Sequence, residues 1–110
     1  MSPRDERLLE KIASEISYLE SLVGGISLDD FLADETTERA AAMTAINIGE
    51  LAKRLSDDFY AEHPTSELRM AAKTRDVYAH GYFTLSFATV YKTAVDDYPR
   101  VREWIESVLD

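Results

Sequence analysis

Apolar residues recur at three- and four-residue steps along nearly the whole chain, and no segment alternates convincingly with period two. An α-helix turns once in about 3.6 residues while a strand flips at every residue, so this spacing commits the chain to amphipathic helices. Leu8, Leu9, Ile12, Ile16, Leu19 and Leu22 form the first stripe. Ser2 can cap that helix, with Pro3 in the first helical position and Asp5 three residues on, as in a capping box. Gly24-Gly25 ends it, since glycine takes the left-handed conformation that helix C-termini favour. Ser27, followed three residues later by Asp30, opens a short helix through Phe31 and Leu32.

A longer helix starts at Asp34 or Thr36 and is expected to run to about Ala61. Its apolar set is Ala40, Met43, Ala45, Ile46, Ile48, Leu51, Ala52, Leu55 and Phe59, broader than one stripe. Such a helix should sit centrally and touch several neighbours. His63-Pro64 closes it, because the residue before proline is pushed away from helical angles. Ser66 is expected to begin a fourth helix through Leu68, Met70, Ala71, Ala72, Tyr78 and Ala79, with Gly81 at its end. Tyr82-Phe83-Thr84-Leu85 reads as a tight connection. Ser86 caps a fifth segment carrying Phe87, Val90, Tyr91, Ala94, Val95 and Tyr98. Pro99 resets the chain before a last stripe of Val101, Trp104, Ile105 and Val108. Short loops between long helices favour antiparallel neighbours. The expected fold is therefore all-α, an up-and-down bundle of four main helices plus short ones.

At 110 residues the chain has the length of one domain, 1–110, and enough core to stand without staples. It contains no cysteine and two histidines, which removes disulfides and makes a transition-metal site a poor fit; no metal and no cofactor are expected. The charged start, Met1 to Arg7, does not read as a signal peptide, and no apolar run approaches the ~20 residues of a membrane span. A cytoplasmic protein is the expectation.

The net charge of −9 argues against broad, non-specific wrapping of nucleic acid. That charge is uneven. Residues 1–38 carry −7, 39–68 carry −2 and 93–110 carry −3, whereas 69–92 carry +3 from Arg69, Lys73, Arg75 and Lys92 against Asp76. The basic island also holds His80.

Within that island, positions 68, 71, 72, 75, 78 and 79 form one helical face of Leu, Ala, Ala, Arg, Tyr and Ala. An arginine in an apolar stripe is costly unless it is paired or lines a site. Arg75 therefore either reaches the surface or a carboxylate such as Glu50, or it serves a functional site. His80 follows five residues later. Five residues turn a helix by roughly 140°, so a regular helix does not hold both side chains on one face. Either the helix distorts at His80-Gly81, or the two residues meet through a second subunit. Taken alone, His80 also suits a cap at the helix C-terminus. Tyr82 returns to nearly the face of Arg75 if the turn persists.

Other chemistries fail more clearly. A di-iron carboxylate bundle wants Glu-x-x-His, but Tyr60 and Val77 stand three residues before His63 and His80. No glycine-rich phosphate loop occurs. Trp104 and the tyrosines fall at core spacing, and Asp57-Asp58 and Asp96-Asp97 read as solvated helix ends.

Arg75-Asp76-Val77-Tyr78-Ala79-His80-Gly81-Tyr82-Phe83 resembles the Arg-x4-His-x-Tyr motif of HepT-type proteins in the HEPN superfamily. Three further stretches are similar to that family, in order: Ser27 to Asp34, its short second helix; Ile48 to Ser56, its central-helix signature; and Asp97-Tyr98-Pro99, its proline turn. The chain departs from the family's habits at Thr74, where a hydrophobic residue is common, and at Thr84 and Ser86, where glycine and aspartate are common.

The resemblance implies a HEPN-like bundle acting as the toxin of a toxin–antitoxin pair, a metal-independent endoribonuclease with RNA as substrate. It implies an MNT-type nucleotidyltransferase antitoxin as partner, which transfers AMP to the motif tyrosine, here Tyr82. It also implies a homodimer whose composite site joins the motif helices of two protomers, with Arg75 and His80 catalytic. The residue types suit that chemistry. Metal-free RNA cleavage uses the ribose 2′-hydroxyl as nucleophile and needs proton transfer, for which histidine, titrating near about 6.5 when free, is apt. The guanidinium of Arg75 suits the charge that gathers on the phosphoryl oxygens. Asp76 can orient either partner, and Arg69 and Lys73 can steer RNA inward. From other classes come a non-catalytic helical module that binds and regulates a nucleotidyltransferase, and a purely structural dimer in which Arg75 pairs with Glu50.

Overall fold

Serine and aspartate side chains start most of the helices. In the computed structural model, which describes residues 1–110 except for the side chain of Tyr82, Ser2 Oγ accepts from the Asp5 N–H at 3.1 Å and opens α1, Pro3–Val23. Ser27 Oγ does the same for Asp30 at the head of α2, Leu28–Leu32. Asp34 caps α3, Glu35–Lys53, through the Thr37 N–H. Ser56 caps α4, Asp57–Glu62, and Ser86 caps α6, Phe87–Asp96. Between them lie α5, Leu68–His80, and a 3₁₀ turn at Tyr82–Thr84. The last helix is α7, Tyr98–Leu109. Each cap satisfies a backbone N–H that the first helical turn leaves without a partner.

The result is the all-α bundle that the periodicity predicts, with no strand among the described residues. Helix α3 is central as its broad apolar set requires, packing on α1, α2, α5 and α6. Leu9, Ile12, Ile16 and Leu19 of α1 are fully buried, as are Phe31, Ile48, Leu68 and Ile105. Burial of each such side chain contributes about 1.5–3 kcal/mol. Trp104 packs edge-on against Phe59 and His63, with ring centroids 6.1 and 5.4 Å away, so both it and His63 belong to the packing. Gly25 alone among the glycines has positive φ, +79°, and turns the chain after α1. No helix among the described residues is long and apolar enough to cross a membrane.

Three boundaries differ from the sequence expectation. The long helix does not reach Ala61; it stops at Lys53, and Ser56 starts a separate α4. The cause is tertiary. The buried Asp5 carboxylate accepts from the Ser56 backbone N–H at 3.0 Å and from Ser56 Oγ at 2.6 Å, holding that residue in an extended conformation. The helix expected from Ser66 starts instead at Leu68, as α5, with Glu67 in the cap position and no side-chain cap bond. Tyr98 belongs to α7 and not to the helix before it. Pro99 has no N–H to give the preceding turn, and its ring clashes with the carbonyl four residues back.

Candidate active site

Helices α3 and α5 approach more closely than most side chains allow, and Gly49 makes this so. A Cβ on Gly49 would lie 2.2 Å from Arg75 Cβ and 2.6 Å from the Ala71 carbonyl oxygen. Against that bare patch Arg75 lies flat, its side chain 26% exposed, and reaches the next residue of α3. Arg75 Nε stands 2.8 Å from Glu50 Oε2. Both atoms are buried, and the N–H is not aligned for a hydrogen bond, so attraction of charge holds this contact. The carboxylate foreseen for Arg75 is thus one of the two it meets.

Arg75 Nη1 also donates to Asp76 Oδ1 at 3.0 Å, and Lys53 Nζ reaches the same oxygen at 3.0 Å. Lys53, Asp76, Arg75 and Glu50 therefore form a row of alternating charge across the α3–α5 seam. The bond from Lys53, then that from Arg75, holds the Asp76 carboxyl below the usual carboxylate range. The periodicity does not single out Lys53. It stands 23 positions from Asp76, and only the helix packing joins them.

Helix α5 stays regular to its end, where the Gly81 N–H donates to the Val77 carbonyl at 2.9 Å. The distortion that would bring Arg75 and His80 together in one chain is absent from α5. Arg75 lies against α3, while His80 is exposed in the last turn of α5. Tyr82 begins the 3₁₀ turn that follows, and its side chain lies outside the described residues.

Arg69 and Lys73 are exposed on α5, and the Arg69 guanidinium sits 4.2 Å above the Tyr60 ring. Steps of four, three and four residues place Arg69, Lys73, Asp76 and His80 along one outward strip, roughly 16 Å long at 1.5 Å per residue. Beside the strip runs a groove of about 730 Å³ between α5 and the α6–α7 arm. Met70 and Val77 line it while remaining 63% and 64% exposed. Among the described residues, no three of His, Asp and Glu gather as a metal-binding group.

The family model described as Ribonuclease HepT-like matches residues 12–108. The chain belongs to the HepT-like ribonuclease family. It is 33% identical over 100 residues to "Probable ribonuclease HepT" of Thermococcus cleftensis, covering 91% of each chain. It is 30% identical over 101 residues to "Putative RNase TTE0752" of Caldanaerobacter subterraneus subsp. tengcongensis, covering 92% of this chain and 90% of that one. No solved structure matches the chain significantly. The family match spans α3 and all of α5, so the motif from Arg75 to Tyr82 lies inside the shared region.

Proposed function

We propose that this HepT-like protein, as one domain over residues 1–110, is the cytoplasmic toxin of a HEPN/MNT toxin–antitoxin pair and cleaves RNA without a metal ion. Family membership carries this reading, and the chemistry of α5 supports it. His80 is the proton-transfer residue, reachable at the end of its helix. Arg75 binds the phosphoryl oxygens as charge builds on them, with Asp76 beside it. Arg69 and Lys73 share the outward strip with His80, which suits the steering of a polyanion toward it. Two motif helices from a homodimer complete the site, because a regular α5 separates Arg75 and His80 by about 140° within one chain. The partner is an MNT-type nucleotidyltransferase that silences the toxin by transferring AMP to the hydroxyl of Tyr82.

Expression of the protein without its partner should arrest growth and fragment cellular RNA, and His80→Ala should abolish both while leaving the helical circular-dichroism spectrum intact. Co-expression with the neighbouring nucleotidyltransferase should add the mass of one or more AMP units to the peptide containing Tyr82. An unmodified Tyr82 peptide would remove the silencing step.

The pairing of Arg75 with Glu50 favours a second reading, a purely structural dimer in which Arg75 serves only to pair with Glu50. Nuclease activity unchanged in Arg75→Ala removes Arg75 from the catalytic assignment, and a harmless wild-type protein that leaves RNA intact decides for a helical module that regulates a nucleotidyltransferase.

A further inference from the structure

A phosphate that binds at Arg75 must displace an anionic oxygen already there. Asp76 Oδ1 lies 3.0 Å from Arg75 Nη1 and 3.0 Å from Lys53 Nζ, so two cations from two helices converge on one oxygen. Arginine and lysine make charge-assisted bonds of this kind to carboxylate and phosphate oxygens alike, so the same donors can hold either. We propose that Lys53 and Arg75 form a two-cation clamp for one phosphate of the RNA, and that Asp76 occupies the clamp in the free chain and gives way to the substrate. The inference rests on the ribonuclease reading, adds Lys53 to it, and recasts Asp76 from a supporting group to a competitor.

The geometry allows the exchange. The side chains of Asp76 and Lys53 are 47% and 42% exposed, so Asp76 can turn into water at little cost. Glu50 keeps its hold on Arg75 at Nε and leaves the outer guanidinium nitrogens for a ligand. With Asp76 in place the four charges cancel. With Asp76 turned out, the clamp faces its ligand with two cations and one carboxylate. The spacing of the two cations is fixed by rigid elements, since the bare Gly49 surface sets how closely α3 and α5 meet.

A fluorescently labelled single-stranded RNA oligonucleotide, titrated by anisotropy against the His80→Ala protein, tests this without cleavage. Lys53→Gln should weaken binding several-fold and make the slope of log K against log salt shallower by about 0.7, one phosphate contact on a single strand. Lys53→Arg should restore most of the affinity. Asp76→Asn should tighten binding, the opposite sign from a residue that supports the site. Unchanged affinity and slope in Lys53→Gln, weaker binding in Asp76→Asn, or no RNA binding at all overturns the clamp. Cleavage by the otherwise unmodified protein is scored separately. If it cuts RNA while Lys53→Gln keeps its KM, the clamp alone fails; if it never cuts RNA, the ribonuclease reading fails.

Discussion

Asp5 carries more of the architecture than an acidic residue in a first helical turn would suggest. Its carboxylate is buried, yet it receives the Ser56 N–H and hydroxyl, while its own backbone N–H goes to Ser2. Burial pushes its pKa up, but the bonds from Ser56 and Ser2 and the charge of Arg4 outweigh that and leave it lowered. A carboxyl whose folded pKa is depressed contributes stability above its unfolded pKa, near about 3.9, and loses it as pH falls through the folded value. Thermal melts should therefore show a loss of Tm on acidification below about pH 4, and Asp5→Asn should flatten that segment of the curve. At neutral pH, Asp5→Ala should cost about 2 kcal/mol by chemical denaturation, because Ser56 loses both bonds in a buried setting. Combined with Ser56→Ala the loss should be clearly less than additive. The Ser2 cap was legible in the sequence, but the contact with Ser56 was not: Asp5 reads as the acidic member of a capping box and Ser56 as a helix-interior residue, and they lie 51 positions apart.

Most element boundaries could be read because the signals that set them are local. Ser2, Ser27, Asp34 and Ser86 cap their helices with their own side chains, and Gly25 turns the chain after α1. The break after Lys53 and the late start of α5 at Leu68 could not be read, since a long-range carboxylate acting on the residue that caps α4 decides the first and no side-chain cap marks the second. The candidate site divides in the same way. Arg75 stood out as a charge in an apolar stripe, whereas Lys53 enters only because Gly49 lets two helices nest. Two glycine substitutions separate these effects. Gly49→Ala forces α5 away from α3, so it should destabilise by about 1–3 kcal/mol, as overpacking does, and should also depress RNA cleavage by widening the spacing of Lys53 and Arg75. Gly25→Ala meets no atom within 4 Å but strains a positive φ; it should cost about 1 kcal/mol and leave cleavage unchanged. Equal effects of both changes on activity would detach the α3–α5 seam from the site.

For the whole molecule, the acidic surface and the basic strip limit where a polyanion can approach. With −9 overall and +3 in residues 69–92, the proposed RNA contact is expected along α5 and the adjoining end of α3, and a dimer that apposed two such surfaces would concentrate the charge. Exposed Met70 and Val77 on that helix offer apolar area for the contact. Val77→Asp should therefore convert a particle of twice 12.4 kDa into one of 12.4 kDa by light scattering, with loss of cleavage. A stronger test uses two inactive proteins, Arg75→Ala and His80→Ala, unfolded together and refolded as a mixture. If Arg75 of one protomer works with His80 of the other, random pairing makes half the dimers mixed, and each mixed dimer keeps one of its two composite sites. Activity should then return to roughly a quarter of the wild-type level, since a closed two-fold dimer contains two equivalent sites. If each chain carries its own complete site, every site in the mixture lacks one residue and activity stays at the level of the inactive parents. The 140° between Arg75 and His80 on a regular α5 makes recovery the expected result.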